Sequence, residues 1–347
     1  MKTKLVFVSL FVAMSALVFI GCEKEELPDE NEGTGTSQNL PKLLAAGSDD
    51  LGAVCWEDGT ATSLGEGFLA SANAVFASGN DTYYGGTVDR KPVIWKKSQK
   101  QVLDAGSGSV NDLIVTNGNV YAVGQLNNAA TLWINGTAQT LTTDYECSPY
   151  LTMTSTANAI TIVNGKVYIV GGILVGDDRK AIYMWVNGES QRVSDNEGMG
   201  YDIAVDGTTV YVVGEAAQPS DVFLNLYVPA LWTNGTFIDL TPANQLQSQG
   251  CATCVCVDNH IPYVTFYRMK GDIYDNTQQG YLYQNGTSRE IACKKAYAVY
   301  KKGSDLYVGG TKEQWGGSII PVIYKNNVAQ NLGTVTYPAT IKSIFVR

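Results

Sequence analysis

The chain has 347 residues, with 24 Lys and Arg against 33 Asp and Glu, a formal net charge of −9 and one histidine. An acidic chain without a basic block is a poor match for nucleic acid, and its folded part is a poor match for anionic lipid. A single histidine excludes a multi-histidine metal site, and any Ser-His-Asp or Cys-His relay would have to use that residue, His260.

The first element is MKTKLVFVSLFVAMSALVFIGC, in which Lys2 and Lys4 precede an apolar run from Leu5 to Ile20, then Gly21 and Cys22. The run is short for a membrane span and no stop-transfer charges follow it, so residues 1–21 read as a signal peptide. Cys22 stands where a bacterial lipoprotein box places the acylated residue, with Phe19 where that box usually carries an aliphatic one. This resemblance implies lipidation of Cys22 and attachment to a membrane through that anchor alone. Residues 22–40 are acidic, then rich in Gly, Ser and Thr, with almost nothing apolar to bury, and are expected to form a disordered tether. Their start, Glu23-Lys24-Glu25-Glu26, resembles the lysine-plus-acids signal that sends some Gram-negative lipoproteins to the outer face of the outer membrane. The two leader lysines leave with the leader, and Glu23 to Glu32 holds six acids and one lysine, which assigns about −6 to the remaining body.

From residue 41 onward the sequence repeats itself, and self-similarity takes precedence over local patterning. One unit reads TANAITIVNGKVYIVGG, a loop, then AIYMWVNGESQRVS. SVNDLIVTNGNVYAVGQ with ATLWINGTAQTLT is a second, and YDIAVDGTTVYVVGE with PALWTNGTFIDLT a third. Each unit encodes an alternating strand, an Asn/Asp/Gly turn, a second strand ending near Gly, a loop, a third strand ending in an aromatic, a tight turn and a fourth strand. Four antiparallel strands in about 40–50 residues make a propeller blade. The closing aromatic falls at Trp56, Trp95, Trp133, Trp185, Trp232, Tyr283 and Tyr324, which predicts seven blades over 41–347. The C-terminal IKSIFVR reads as a first strand with nothing after it, and the body begins with strands two to four, so both termini are expected to complete one blade.

The repeated LWTNGT and LWINGT are read as packing and turn elements: the indole fills space between twisted sheets and Asn-Gly supplies the positive φ of a two-residue hairpin. The pattern VYVVGG, loop, aromatic, turn resembles Kelch-type repeats. It is closer still to the W-x-N-G propeller repeats of secreted and lipoprotein chains of anaerobic Gram-negative bacteria. The resemblance covers essentially all of 41–347 and implies an all-β, seven-bladed propeller rather than an activity. The sixth unit, CATCVCVDNHIPYVTFYRM, lacks the Gly pair and contains Pro262, so an irregular sixth blade is expected.

Candidate chemistry follows from position in the repeat. Asp112 and Asp202 occupy equivalent first-strand positions near the channel mouth, with Asn73, Asn111 and Asn158 one register earlier. Strict alternation would keep the two registers on opposite faces. Ser48-Asp49-Asp50-Leu51-Gly52 resembles the Asp-box of sialidase propellers, but occurs once, with the wrong spacing to Trp56 and in the wrong loop. Apart from Cys22 there are six cysteines; Cys254 and Cys256 are expected on one strand face and Cys251 on the other, so they do not converge on zinc. A disulfide from Cys293 to one of these three is one option, and simple occupation of small apolar positions the other. The second-to-third-strand loops are long in the fourth to seventh units and bring Tyr227, Tyr267, Arg268, Lys270, Tyr274, Asp275 and Trp315 to the face that also carries Tyr145 and Tyr150.

The candidate ligand-binding set is therefore Asn73, Asn111, Asp112, Asn158, Asp202, Tyr267, Arg268, Tyr274 and Trp315. Aromatic platforms with hydrogen-bonding edges suit a glycan or a protein partner. The expected function is a surface-exposed binding module for an extracellular glycan or outer-membrane protein, with no catalysis, no metal and no cofactor. The alternatives are a carboxylate-dependent glycoside hydrolase or lyase whose acids gather at the channel mouth from Asp112, Asp202 and the loops, and a structural subunit of an outer-membrane complex.

Overall fold

The computed structural model describes residues 42–347 apart from 68, 98, 147–150, 177–178, 219–225, 244–247, 271–276, 315 and 334. The leader, the tether and Cys22 lie outside the described residues, as do Cys147, Tyr150, Tyr274, Asp275 and Trp315.

Twenty-eight strands form seven four-stranded antiparallel sheets, with no helix among the described residues. Blades 2 to 7 each use four consecutive strands, over 71–102, 108–140, 153–192, 198–239, 250–290 and 295–329. Blade 1 pairs the C-terminal strand Thr340–Val346 with Leu43–Ser48, followed by Gly52–Glu57 and Thr60–Glu66, as the two incomplete ends predicted. The innermost strands are Thr340–Val346, Ser71–Ser78, Gly108–Thr116, Met153–Val163, Gly198–Asp206, Gly250–Asp258 and Lys295–Lys302. Each touches the innermost strand of the next blade, and they close a ring around a central channel.

The core lies between sheets. Trp56, Trp95, Trp133, Trp185 and Trp232 are no more than 1% exposed, and each sits on the third strand of its blade. Trp185 packs with Val123, Leu132 and Leu141 of blade 3, and its Nε1–H donates to Thr142 O of that blade at 2.7 Å. Trp95 makes the same tie to Leu64 O at 2.8 Å. Where tyrosine replaces tryptophan in blade 7, Tyr324 Oη donates to Ala292 O at 2.9 Å, so the outer tie to the preceding blade survives the substitution. The outer hairpins turn on Asn-Gly pairs such as Asn135-Gly136, with φ of 50° and 85°, a conformation these two residues tolerate.

One feature escaped the alternation rule. All seven innermost strands carry a β-bulge at the same station, centred on Asn73, Asn111, Asn158, Tyr201, Thr253, Tyr297 and Lys342. A bulge sets two residues against one on the partner strand and so interrupts the two-residue period. Consequently Asn111 and Asp112 both reach blade 4, at Ala157 O and Ile160 N, which corrects the expectation that their registers face opposite ways. The same correction applies to the cysteines: Cys251 and Thr253 share a face by alternation, Thr253 and Cys254 by the bulge. Cys55, Cys251, Cys254, Cys256 and Cys293 are free thiols, and no group of three or more potential metal ligands occurs among the described residues.

The bulge also explains the repeated glycine of the second strand. It pushes the carbonyl of the residue two before the bulge centre toward the partner strand. A Cβ on Gly47, Gly86, Gly124, Gly171, Gly214 or Gly310 would fall 1.8–2.0 Å from that oxygen. Gly124→Ala is accordingly expected to cost about 3 kcal/mol, read as a lower urea midpoint; an unchanged midpoint would remove the close approach as the reason for glycine. In blade 6 the station holds Phe266, fully buried and stacked on Tyr281 at 4.9 Å. That blade has all four strands and the common bulge, with Pro262 paired to Val257 in its second strand, so it is not irregular.

Candidate functional site at the mouth of the central channel

The seven bulge residues divide into two arcs. In blades 2, 3 and 4 they belong to a repeated Ser/Thr-x-Asn device: Ser71, Ser109 and Thr156 each donate to the Oδ1 of the asparagine two residues on, at 2.9, 2.8 and 3.0 Å. The asparagine then donates from Nδ2 to a carbonyl of the next blade: Asn73 to Val110 O at 2.8 Å, Asn111 to Ala157 O at 3.0 Å and Asn158 to Gly200 O at 2.7 Å. Three successive junctions are latched this way, and both ends of each amide are used. The predicted Asn73, Asn111 and Asn158 do share one ring, but their side chains are engaged in joining blades.

The opposite arc carries Tyr201, Thr253, Tyr297 and Lys342. Thr253 keeps a latch, its Oγ1 donating to Ala296 O at 2.8 Å. Tyr201, Tyr297 and Lys342 instead line a cavity of ≈ 370 Å³ with Asn111, Asn158, Cys251, Thr253, Tyr267 and Thr340. This volume lies within the range of small-molecule sites, about 300–1,000 Å³. The cavity opens at the end of the innermost strands where the second-to-third-strand loops and blade-to-blade connections also lie. Tyr267 and Tyr297 meet edge to face at 6.2 Å, and Lys295 Nζ stands 4.8 Å from the Tyr267 ring centroid. At the rim Lys180 Nζ lies 2.5 Å from Glu215 Oε1 and 4.1 Å from the Tyr227 ring. Burial, assisted by Cys251, pushes the Tyr297 hydroxyl up to about 12, and burial raises Tyr201 and Tyr267 as well. All three phenols therefore stay protonated, with Tyr201 bonded to Glu215. Burial also lowers the Lys342 ammonium, which is open to channel water but surrounded by protein.

One residue past the bulge, Asp112 and Asp202 form a second level of latches. Asp112 Oδ1 accepts from Leu113 N at 2.8 Å, and its Oδ2 from Ile160 N of blade 4 at 2.9 Å. Asp202 does the same with Ile203 N and Val255 N of blade 6, both at 2.8 Å. Burial raises Asp112 to about 7, with the Asp202 charge adding to it, and raises Asp202 to about 6; the N–H donors oppose both shifts. Neither carboxylate lines the mouth cavity.

The remaining candidates are scattered. Tyr267 belongs to the cavity, whereas Arg268 is 4% exposed and donates from Nε to Ser248 Oγ at 2.9 Å. Tyr274 and Trp315 lie outside the described residues. Tyr145 packs into the interface between blades 3 and 4, and Lys270 reaches Glu290 at 3.9 Å. His260 occupies an exposed turn at the other end of its strand from Cys251, with Nδ1 2.5 Å from Asp206 Oδ2. Asp49 of the supposed Asp-box accepts from Leu51 N and Gly52 N at 3.0 Å and simply closes a turn. Sequence reasoning missed Tyr201, Thr253, Tyr297 and Lys342. The signal was present: these residues hold the Asn73 register in blades 5, 6, 7 and 1.

The chain is thus an all-β propeller of seven four-stranded blades, with a polar and aromatic cavity at one mouth of its channel. By sequence it matches no known protein family and no curated protein. Among solved structures it is similar to the periplasmic gluconolactonase PpgL of Pseudomonas aeruginosa, with a TM-score of 0.45 and 10% identity over 88% of this chain and 98% of that one. AofleA from Arthrobotrys oligospora gives 0.43 and 10% identity over 79% and 87% of the two chains. The endosialidase of phage phi92 gives 0.41 and 12% over 86% of this chain and 60% of its own. At 10–12% identity these likenesses assign no activity to this chain.

Proposed function

We propose that the protein is a binding module that takes an extracellular saccharide at the channel mouth and is held on the outer membrane through lipid on Cys22. The observation that carries the site is the asymmetry of the bulge ring. Three consecutive stations repeat the Ser/Thr-x-Asn device, whereas in the opposite arc Tyr201 and Tyr297 face a cavity and Lys342, tied to Ser71 and Asn73, stands in its wall. Tyrosine faces pack against the apolar face of a sugar ring while hydroxyl, amide and ammonium groups meet its hydroxyls. The leader and the box around Cys22 support the anchor, and the acidic start of the tether supports surface display. Binding is favoured over carboxylate-dependent hydrolysis because every carboxylate oxygen of Asp112 and Asp202 already accepts a backbone N–H and neither side chain lines the cavity.

A glycan array probed with the full-length chain tests the reading. Binding to defined saccharides is expected, and Tyr297→Ala is expected to weaken it roughly tenfold or more by removing one stacking face. An array with no positive saccharide, or binding indifferent to Tyr297, would refute the site.

A further inference from the structure

Among the described residues, the cavity runs against the charge of the molecule: the body carries about −6, yet no Asp or Glu is among the residues lining the cavity, and Lys342 stands in its wall. Glu215, whose carboxylate bonds Tyr201 of the cavity wall, is neutralised by Lys180 at 2.5 Å. The neighbouring Lys294 pairs with Glu313, whereas Lys295 lies over the Tyr267 ring at 4.8 Å. Lys342 Nζ donates to Ser71 Oγ at 2.8 Å and Asn73 Oδ1 at 2.9 Å, both neutral acceptors. An ammonium has three N–H donors, and these two bonds leave one for the channel. Lys342 is open to channel water, so its remaining N–H is available to an entering anion. In a concave site the ammonium also concentrates the field on whatever enters.

Resting on the saccharide reading above, we infer that the ligand is an acidic sugar: its carboxylate is seated on Lys342 Nζ, and its ring lies against Tyr297 and Tyr267. Among the described residues Lys342 has no carboxylate partner, and one ammonium matches one monoanionic carboxylate. A phosphate dianion calls for more positive charge or for the forked donors of arginine, and no arginine lines the cavity. Lys295, poised over Tyr267, adds long-range attraction at the rim without being needed for contact.

Calorimetric titration of the full-length chain with glucuronate, glucose and acetate separates the two layers of the argument. Glucuronate is expected to bind, glucose at least tenfold more weakly, and Lys342→Met to reduce glucuronate affinity roughly tenfold or more, a clearly larger loss than it causes for glucose, in line with loss of one charge-assisted hydrogen bond. Lys342→Arg, which keeps the charge, is expected to retain most of the affinity and guards against a folding defect in the Met variant. Equal binding of glucose and glucuronate, both insensitive to Lys342→Met, would overturn the acidic-sugar inference and leave the saccharide site standing. Lys342-dependent binding of acetate with no sugar bound would overturn the saccharide reading and with it the acidic sugar. Absence of binding by all three probes would overturn both.

Discussion

Deletion of residues 341–347 is expected to abolish the cooperative unfolding transition of the whole propeller. Those residues supply the innermost strand of blade 1, paired with Leu43–Ser48 from Leu43↔Val346 to Ser48↔Thr340. Ile341, Ile344 and Val346 are at most 6% exposed and pack with Trp56, Ala298 and Ile323 at the junction with blade 7. Phe345 reaches both neighbours, with its ring 5.0 Å from Phe76 of blade 2 and 5.3 Å from Tyr300 of blade 7. Arg347 exchanges backbone hydrogen bonds with Lys42 and donates from Nη2 to Asp81 O at 3.1 Å. Burial of each of these aliphatic side chains contributes about 1.5–3 kcal/mol, so their joint loss approaches the whole stability of an ordinary domain, about 5–15 kcal/mol. The deletion also leaves Leu43–Ser48 as an unpaired edge on an opened ring. Circular dichroism melts and urea titrations would read the effect, and a truncated chain that melts cooperatively at the full-length temperature would refute the closure. Ile344→Ala provides a graded counterpart, with an expected loss of about 3 kcal/mol and an intact transition.

Acidification from pH 8 to pH 5 is expected to stabilise the protein, contrary to the usual behaviour of carboxylates in ion pairs. Burial holds Asp112 near 7 and Asp202 near 6, above the usual aspartate range. A group whose pKa is raised by folding binds its proton more tightly in the folded state. Its contribution is therefore complete below the unfolded pKa, near 4, and is lost as pH rises through 6 and 7. Integrated over pH 5–8, the two groups together amount to about 4 kcal/mol. The exposed Asp81 and Asp305 are lowered by Lys96 and Lys325 respectively, so their contribution disappears only on further acidification, below this window. Urea midpoints at pH 5, 6, 7 and 8 would record the slope. Asp112→Asn should flatten it between pH 6 and 8, even though its amide leaves one of the two N–H groups of Leu113 and Ile160 unpaired and lowers stability at every pH. A midpoint that falls steadily from pH 8 to pH 5, or an undiminished slope in the variant, would contradict the assignment.

The blades were legible in the sequence because their outer halves repeat in residue type. A tryptophan that fills the gap between sheets and an Asn-Gly pair that turns the hairpin admit few substitutes, so seven stations could be counted. The inner strands repeat in backbone geometry instead. The bulge left a trace in the second-strand glycine, but reading that trace requires knowing where the facing carbonyl lies. Without the bulge, Asn111 and Asp112 were assigned to opposite faces, and the ring of side chains at the mouth was seen only where residue type recurred, as Asn73, Asn111 and Asn158. Lys342 and Tyr297 share that register but not that chemistry, and so went unnoticed. Asp112 and Asp202 were found because they occupy equivalent first-strand positions, yet their tie to Ile160 and Val255 across a blade junction has no local sequence signature.

The pairing within blade 1 also fixes which end of the ring receives residue 42. Lys42, where the folded body begins, is bonded to Arg347 at the far end of the innermost strand, whereas Thr340, at the near end, lines the cavity beside Lys342. Residue 42 and the cavity therefore lie at opposite ends of the innermost strand of blade 1. The Lys42–Arg347 closure thus lies at the end of the ring away from the tyrosines and Lys342, so a tag added after Arg347 would leave the cavity mouth clear.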